Sequence, residues 1–341
     1  MFAYMIRRLL WLIPVLFTVS LVTFIIMRST PGSPWDVEAE NKRTLDASTQ
    51  KALEEFYGMN KPMWRQFVGY VIGDFNPQKD GKFVCGMICG NLGPSYRTRG
   101  RTVQNILFAA PPPNEIGQKT SAWDSRFGYS MRLGLTALAI AILVGIPVGV
   151  ITALKQNTIW DYVGMLFVTA GISVPSFVVG IFLIIIFATW LHLINVIPKG
   201  WDEPKVWVLP ALVLGFNTTA FTARLTRSAM LEVLRQDYVR TARAKGLVER
   251  IVVIRHMLKN ALIPVVTILG PALAGLITGS FIIETMFSFP GMGREYVRSI
   301  FNRDYSMIMG TTVVYALLVA IANLSVDFVY VLIDPRIRLE E

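Results

Sequence analysis

Six long apolar blocks dominate this sequence, and their length limits where the backbone can go. They run over about residues 9–27, 133–154, 162–190, 206–223, 261–283 and 309–333. About 20 apolar residues of helix cross the roughly 30 Å hydrocarbon layer of a bilayer. Inside that layer each peptide group must be satisfied without water, which leaves the helix as the solution for an isolated span. Composition agrees. Hydrophobic residues make up 53% and charged residues 16%, against about 25% charged in a soluble domain, and mean hydropathy is +0.49. The expected fold is an all-α membrane protein with six transmembrane helices and a large extracytoplasmic insert between the first two.

Block one follows Arg7 and Arg8, as a cleaved signal peptide would. Its apolar run exceeds the usual 7–15 residues of such a peptide and no A-x-A site follows, so it is expected to remain as a span. Basic residues in short loops mark the cytoplasmic side. Arg7 and Arg8, Lys155, the stretch with Arg224, Arg227, Arg235, Arg240, Arg243, Lys245, Arg250, Arg255 and Lys259, and then Arg336 and Arg338 all fall on one side of a six-span chain. Both termini are therefore expected in the cytoplasm. This distribution also accounts for the net charge of +10 without nucleic-acid binding, for which no aromatic-basic surface module is present.

The expected organisation is a first span over 1–28, an outer cap over 29–128, a five-helix core over 129–335 with a cytoplasmic loop at about 224–260, and a tail over 336–341. Within the cap, 48–57 reads as a helix with Ser48 as N-cap and Gly58 as stop, and the chain after Pro77 reads as loop. Cys85 and Cys89 both lie there. An oxidising compartment allows a disulfide across this C-x-x-x-C; free thiols are the second reading. A metal site is the third, but zinc needs about four ligands, and the two histidines, His192 and His256, sit elsewhere.

Catalytic chemistry has no evident carrier. There is no GxxxxGK(S/T) phosphate loop, and no Ser/His/Asp set stands out. Ionisable residues inside the blocks, which mark proton and ion relays, are nearly absent apart from Asp327. Repeat symmetry of the kind secondary transporters show is not evident. No catalytic residue and no metal ligand is expected.

The charged loop carries the strongest motif. Residues 229–244 have helical composition, with Leu231, Leu234, Tyr238 and Ala242 recurring near one face. Gly246 then stops the helix, as glycine does at helix C-termini. Small residues beside Gly246 suit a helix end that enters a partner's groove, and Arg240, Arg243 and Lys245 can steer an acidic surface. In the spans, Gly145-x-x-x-Gly149 and Gly275-x-x-x-Gly279 allow close helix packing. Gly270, Pro271, Gly275 and Gly279 are the gate or path candidates, because that span follows the loop directly. Phe287, Phe289 and Met292 flank the Pro290-Gly291 turn, where either an interfacial piece at a pore mouth or an aromatic anchor fits.

The run DYVRTARAKGL, followed by RHMLKNALIP, resembles the EAA loop of ABC-transporter permeases, in the branch of oligopeptide, dipeptide and nickel importers. Arg240-Thr241-Ala242 stands where the general pattern has Glu-Ala-Ala, and Gly246 holds the glycine. The opening MIRRLLWLIPVLFTVSLVTFIIMRSTPGSP, GISVPSFVVG, ETMFSFPGMGREYVRSIFNRDY and VDFVYVLIDPRIR also resemble the B-type (first) permease subunit, in order along most of the chain. The segment APPPNEIGQKTSAWDSRFG before span two departs from it.

The resemblance implies the type I importer fold in a bacterial inner or plasma membrane. It implies a complex of this chain with a second permease subunit, two ABC ATPase subunits that bind ATP and Mg, and an extracytoplasmic peptide-binding protein. The expected ATPase-coupling residues are Arg240, Thr241, Ala242, Ala244, Lys245, Gly246, Leu247, His256, Asn260 and Pro264. The alternatives are a stand-alone secondary transporter and an ABC importer for nickel or another small solute.

Overall fold

The computed structural model describes residues 2–35, 47–75, 82–110, 121–196, 198, 200–201, 203–277 and 280–333. Gly279, the tail over 336–341 and the middle of the segment before span two lie outside them. Asp327 falls where only the backbone is described. The chain is mostly helical. Among the described residues five helices are long and apolar enough to cross a membrane, or six spans if one sharply bent pair counts as one.

In chain order, α1 is Phe2–Ser29, α2 Ala47–Phe56, α3 Met63–Val71, α4 Val103–Phe108 and α5 Arg126–Leu154. Then follow α6 Ile159–Ser173, α7 Ser176–Ile184, α8 Pro204–Val233 and α9 Asp237–Ala244. A near-continuous helix, α10, covers Glu249–Ile277, and α11 Phe281–Met286, α12 Met292–Phe301 and α13 Tyr305–Ile333 complete the set. Two short strands, β1 Gly73–Phe75 and β2 Phe83–Cys85, pair antiparallel with Asp74 opposite Val84. The second strand lies where the sequence reads as loop, because its cross-strand partner supplies an order that local composition does not.

The chain forms two compact units. Among the described residues, one comprises Ser130–Phe289 with those from Val319 onward, the other Phe2–Tyr129 with Pro290–Leu318.

In the first unit α8 packs against α10, α6 and α7. The contact of α5 with α8 depends on missing side chains: a Cβ at Gly145 would lie 2.7 Å from the Thr219 carbonyl, and one at Gly149 would lie 2.5 Å from that of Ala223. The small-residue pattern in this span is thus a packing seam. Around Gly275 a Cβ would meet nothing within 4 Å, so the second pattern makes no such seam at that residue.

The third apolar block is not one straight helix. It breaks at Val174-Pro175, with α6 and α7 bent by 108°. Proline cannot donate into the ladder and turns the preceding residue extended. The freed carbonyls are met from α8: the Asn217 side-chain amide donates to the Gly171 carbonyl at 2.6 Å and to that of Val174 at 3.5 Å. Residues Ile185–Trp190 close the block as a π-helical turn.

Among the described residues of this unit two carboxylates are buried, which the near-absence of charge in the apolar blocks does not suggest. Asp161 is 3% exposed and accepts two hydrogen bonds from the Arg227 guanidinium, each 2.9 Å. Glu284, 0% exposed on α11, accepts from the Ser130 hydroxyl at 2.8 Å. Phe287 and Phe289 are also buried, and Phe289 lies between Trp201 and Trp207 at 4.7 and 4.9 Å. These two rings fill protein interior, so they are not anchors facing lipid.

The second unit ties the segment after α1 to the chain around α12. Phe24, Met27, Phe67, Val71, Tyr305 and Met309 form one cluster, and Leu92, Val103, Leu107, Met292, Met307 and Val313 belong to another. Asp304 acts as a clasp. Its carboxylate accepts from the Ser95 hydroxyl at 2.5 Å, the Tyr96 N–H at 3.1 Å and the Met307 N–H at 3.2 Å. The helix read over 48–57 is α2, which begins one residue earlier, at Ala47; Gly58 follows it with φ +67°. Cys85 and Cys89 are joined as a disulfide, with 5.9 Å between their Cα atoms.

Candidate coupling site

Between α8 and α10 the chain makes a short helical module at one end of the first unit. The single helix read over 229–244 is two pieces. α8 carries on to Val233, the chain turns at Leu234–Gln236, and α9 begins at Asp237. Gln236 takes the extended conformation of an N-cap, and an acid in the first turn complements the helix dipole.

The seat of α9 is apolar and small. Val239 and Ala242, three positions apart on one helix face, are 0% and 5% exposed. They pack in a cluster with Met230 and Val233 of α8, Val252, Met257 and Ala261 of α10, and Ala153 at the end of α5. The inward face is therefore Val239 and Ala242 rather than Tyr238, which is 40% exposed. Tyr238 instead accepts from the Asn260 side-chain amide at 2.9 Å, and Asn260 also donates to the His256 carbonyl at 3.2 Å.

Most of the other candidate coupling residues point away from this seat. Arg240, Thr241, Ala244, Lys245, Gly246, Leu247, Asn260 and Pro264 are exposed, and His256 is half-buried in the π-helical turn Val252–Leu258. Ala242 differs from the rest: it holds the helix in place and presents nothing outward. Gly246 has φ +74°, a conformation open to glycine at little cost, and its N–H donates to the Arg243 carbonyl at 2.9 Å. A Cβ there would meet nothing within 4 Å, so the protein leaves open space around this turn.

The loop is braced across its base. The Arg243 guanidinium donates twice to the Glu249 carboxylate, at 2.6 and 3.1 Å. That hydrogen-bonded carboxylate holds the already high guanidinium pKa higher still. The fork closes residues 245–248 into a compact turn whose tip carries Leu247 and Val248, 37% and 68% exposed. The result is a stiff, positively charged knob. Its two ends continue into long apolar helices, which share its packed seat.

Among the gate or path candidates, Pro271 and Gly275 are exposed on α10 and Gly270 is half-buried. Exposed Pro264, Pro271 and Gly275 fall on one stripe of the helix, and buried Ala261, Val265 and Leu276 lie about a quarter turn round from it. The coupling module and the path candidates thus share one continuous element.

The comparisons with known proteins fit this arrangement. Residues 145–339 match the family described as binding-protein-dependent transport system inner membrane component, and residues 1–113 match its N-terminal region. The dipeptide transport system permease protein DppB of Bacillus subtilis (strain 168) is 38% identical over 338 residues, covering 99% of this chain and 98% of the relative. The oligopeptide transport system permease protein OppB of Escherichia coli (strain K12) is 37% identical over 340 residues, covering 99% of this chain and all of the relative. A chain of the inward-facing methionine ABC transporter MetNI superposes with a TM-score of 0.51 at 17% identity, covering 61% of this chain and 94% of that one. With a family match over more than half of its length and relatives of this identity along nearly all of it, the chain belongs to the binding-protein-dependent transport system inner membrane components.

Proposed function

We propose that this chain is one permease half of an ATP-driven importer for di- or oligopeptides. It spans the membrane six times, with the bent pair α6 and α7 as one span and both termini in the cytoplasm. The observation that carries the reading is the α9 module: an exposed basic knob with a glycine turn, seated by Val239 and Ala242 between two span-length helices. The cargo class rests on relatives named as dipeptide and oligopeptide permeases.

In this reading the chain performs no hydrolysis. Two ABC ATPase subunits bind ATP and Mg and supply the energy. Arg240, Thr241, Ala244, Lys245, Gly246 and Leu247 meet a cleft on one of them. Closure of the ATPases displaces α9, and its apolar seat transmits the shift to α8 and α10. The stripe through Pro264, Pro271 and Gly275 lies toward the path and the second permease subunit. An extracytoplasmic binding protein delivers the peptide.

The test is recovery of the chain, tagged at its C-terminus, in mild detergent with mass spectrometry of its partners. A second permease, two P-loop ATPases and an extracytoplasmic peptide-binding protein are expected. A homo-oligomer without a P-loop partner would overturn the reading in favour of a stand-alone transporter. A partner that binds nickel instead of peptides would keep the importer and change its cargo.

A further inference from the structure

A partly enclosed cavity of about 150 Å³ lies in the second unit. Its polar lining comes from three segments, with Ile106 of α4 and Met307 of α13 as the apolar part. The turn after Ser95 supplies Arg97, Thr98 and Arg101, the start of α5 supplies Arg126, and α12 with the turn after it supplies Glu295, Arg298, Ser299 and Asn302. Four guanidiniums and two carboxylates, those of Glu295 and Asp304, thus line one small space.

The two carboxylates do not neutralise it. The Asp304 carboxylate is taken up by the Ser95 hydroxyl and by backbone N–H groups of Tyr96 and Met307, so it serves the fold rather than the arginines. Glu295 faces Arg126 at 3.6 Å. Arg97 is held in place by its own bonds, with its Nε donating to the Asn302 carbonyl at 2.7 Å. Among the described residues Arg101 and Arg298 form no ion pair, and Arg101 reaches only the Asn105 carbonyl, at 3.5 Å. A further sign of surplus positive charge comes from neighbouring Arg294. Burial lowers its pKa first, and Arg126 and Arg298 lower it further against Glu295, which raises it.

We infer that this cavity is a carboxylate-binding subsite, and that the carboxylate is the C-terminus of a peptide on its way to the path. Guanidinium forks match a carboxylate bidentately. The Thr98 and Ser299 hydroxyls and the Asn302 amide offer further polar groups beside them. The volume suits a chain end with a small residue and not a folded surface. The inference rests on the peptide-importer reading, which supplies both the ligand and the extracytoplasmic placement of these segments.

The test uses the full chain purified in mild detergent, with tri-alanine as the probe and its C-terminal amide as the control. Binding is read by saturation-transfer NMR. Tri-alanine is expected to bind saturably and the amide about tenfold more weakly, the scale of one lost charge-assisted hydrogen bond. Arg298→Gln, at an exposed position, and Arg101→Gln are each expected to weaken tri-alanine binding by a similar factor and to leave the thermal midpoint unchanged. Equal binding of acid and amide, no binding of either, or binding indifferent to both substitutions would overturn the subsite. An acidic side chain of the binding protein is the other source of a carboxylate. It is favoured if tri-alanine does not bind but Arg298→Gln weakens recovery of that protein, and this outcome also overturns the peptide assignment. A chain that recruits P-loop ATPases and fails to bind tri-alanine keeps the importer reading and loses the subsite. A chain that binds tri-alanine without such partners does the reverse.

Discussion

Gly246 and the pair Asp161–Arg227 show two ways in which a side chain can matter, by its absence and by its charge. At Gly246 the φ of +74° and the open space around a Cβ leave room for a larger residue at a strain of about 1–2 kcal/mol. Gly246→Asp is therefore expected to insert and fold while peptide uptake falls to background, because the new side chain occupies the surface proposed to meet the ATPase. Gly246→Ala carries the same backbone strain with little bulk and is expected to keep most uptake. Normal uptake by Gly246→Asp, or equal loss in both variants, would refute docking at this turn. Asp161 and Arg227 have side chains 5% and 22% exposed. Removing one partner leaves a charge with little water, so Asp161→Ala is expected to cost about 3 kcal/mol in unfolding. The double variant Asp161→Ala, Arg227→Leu is expected to lose less than the single one, and denaturant unfolding in detergent would show it. Gly246 was legible in the sequence because a glycine after a helical, basic run has a local meaning. Asp161, Arg227 and Glu284 were not, because their partners are 66 and 154 residues away and no local pattern encodes such a pairing.

The same division holds for helices and strands. The apolar blocks announced α1, α5, α8, α10 and α13, because span length is written in composition. The break between α6 and α7 was readable only as a proline, since what makes the break tolerable is Asn217 on another helix. The split of 229–244 was hidden for a related reason: helical composition runs through the turn, and only the shared seat of Val239 and Ala242 redirects the chain. The β hairpin depends on similar distant support and makes a prediction of its own. Asp74 on β1 accepts from Lys61 at 2.5 Å and from the Phe75 N–H at 2.8 Å. The Lys61 hydrogen bond, foremost, holds its carboxyl below the ordinary aspartate range. A carboxylate with a depressed folded pKa stabilises the fold above its unfolded value, and that contribution is lost as pH falls through the folded value. Hydrogen exchange in Gly73–Phe75 is therefore expected to quicken, beyond its intrinsic pH dependence, as pH drops below about 4. Asp74→Asn should remove that extra sensitivity. The same pH response in both proteins would show that the carboxylate does not brace the hairpin.

Taken over its full length, the chain exposes much apolar surface in isolation. Windows of its candidate spans are as little as 11% buried for α1 and 18% for α10. Such surfaces suit lipid and partner helices, and the basic segments between them give the orientation its sign. The direction of insertion decides whether the coupling module can meet a soluble ATPase, so it is the property on which the proposed function most depends. Two exposed residues report it. Val248, 68% exposed, sits at the tip of the coupling turn, and Phe301, 76% exposed, ends α12. In a background of Cys85→Ser and Cys89→Ser, Val248→Cys is expected to react with a membrane-impermeant maleimide in inverted vesicles and not in intact cells. Phe301→Cys is expected to behave oppositely. Labelling of Val248→Cys from outside the cell would place the basic knob where no cytoplasmic ATPase can reach it. The α9 module would then need another partner, and the charge asymmetry of the short loops would not have set the topology.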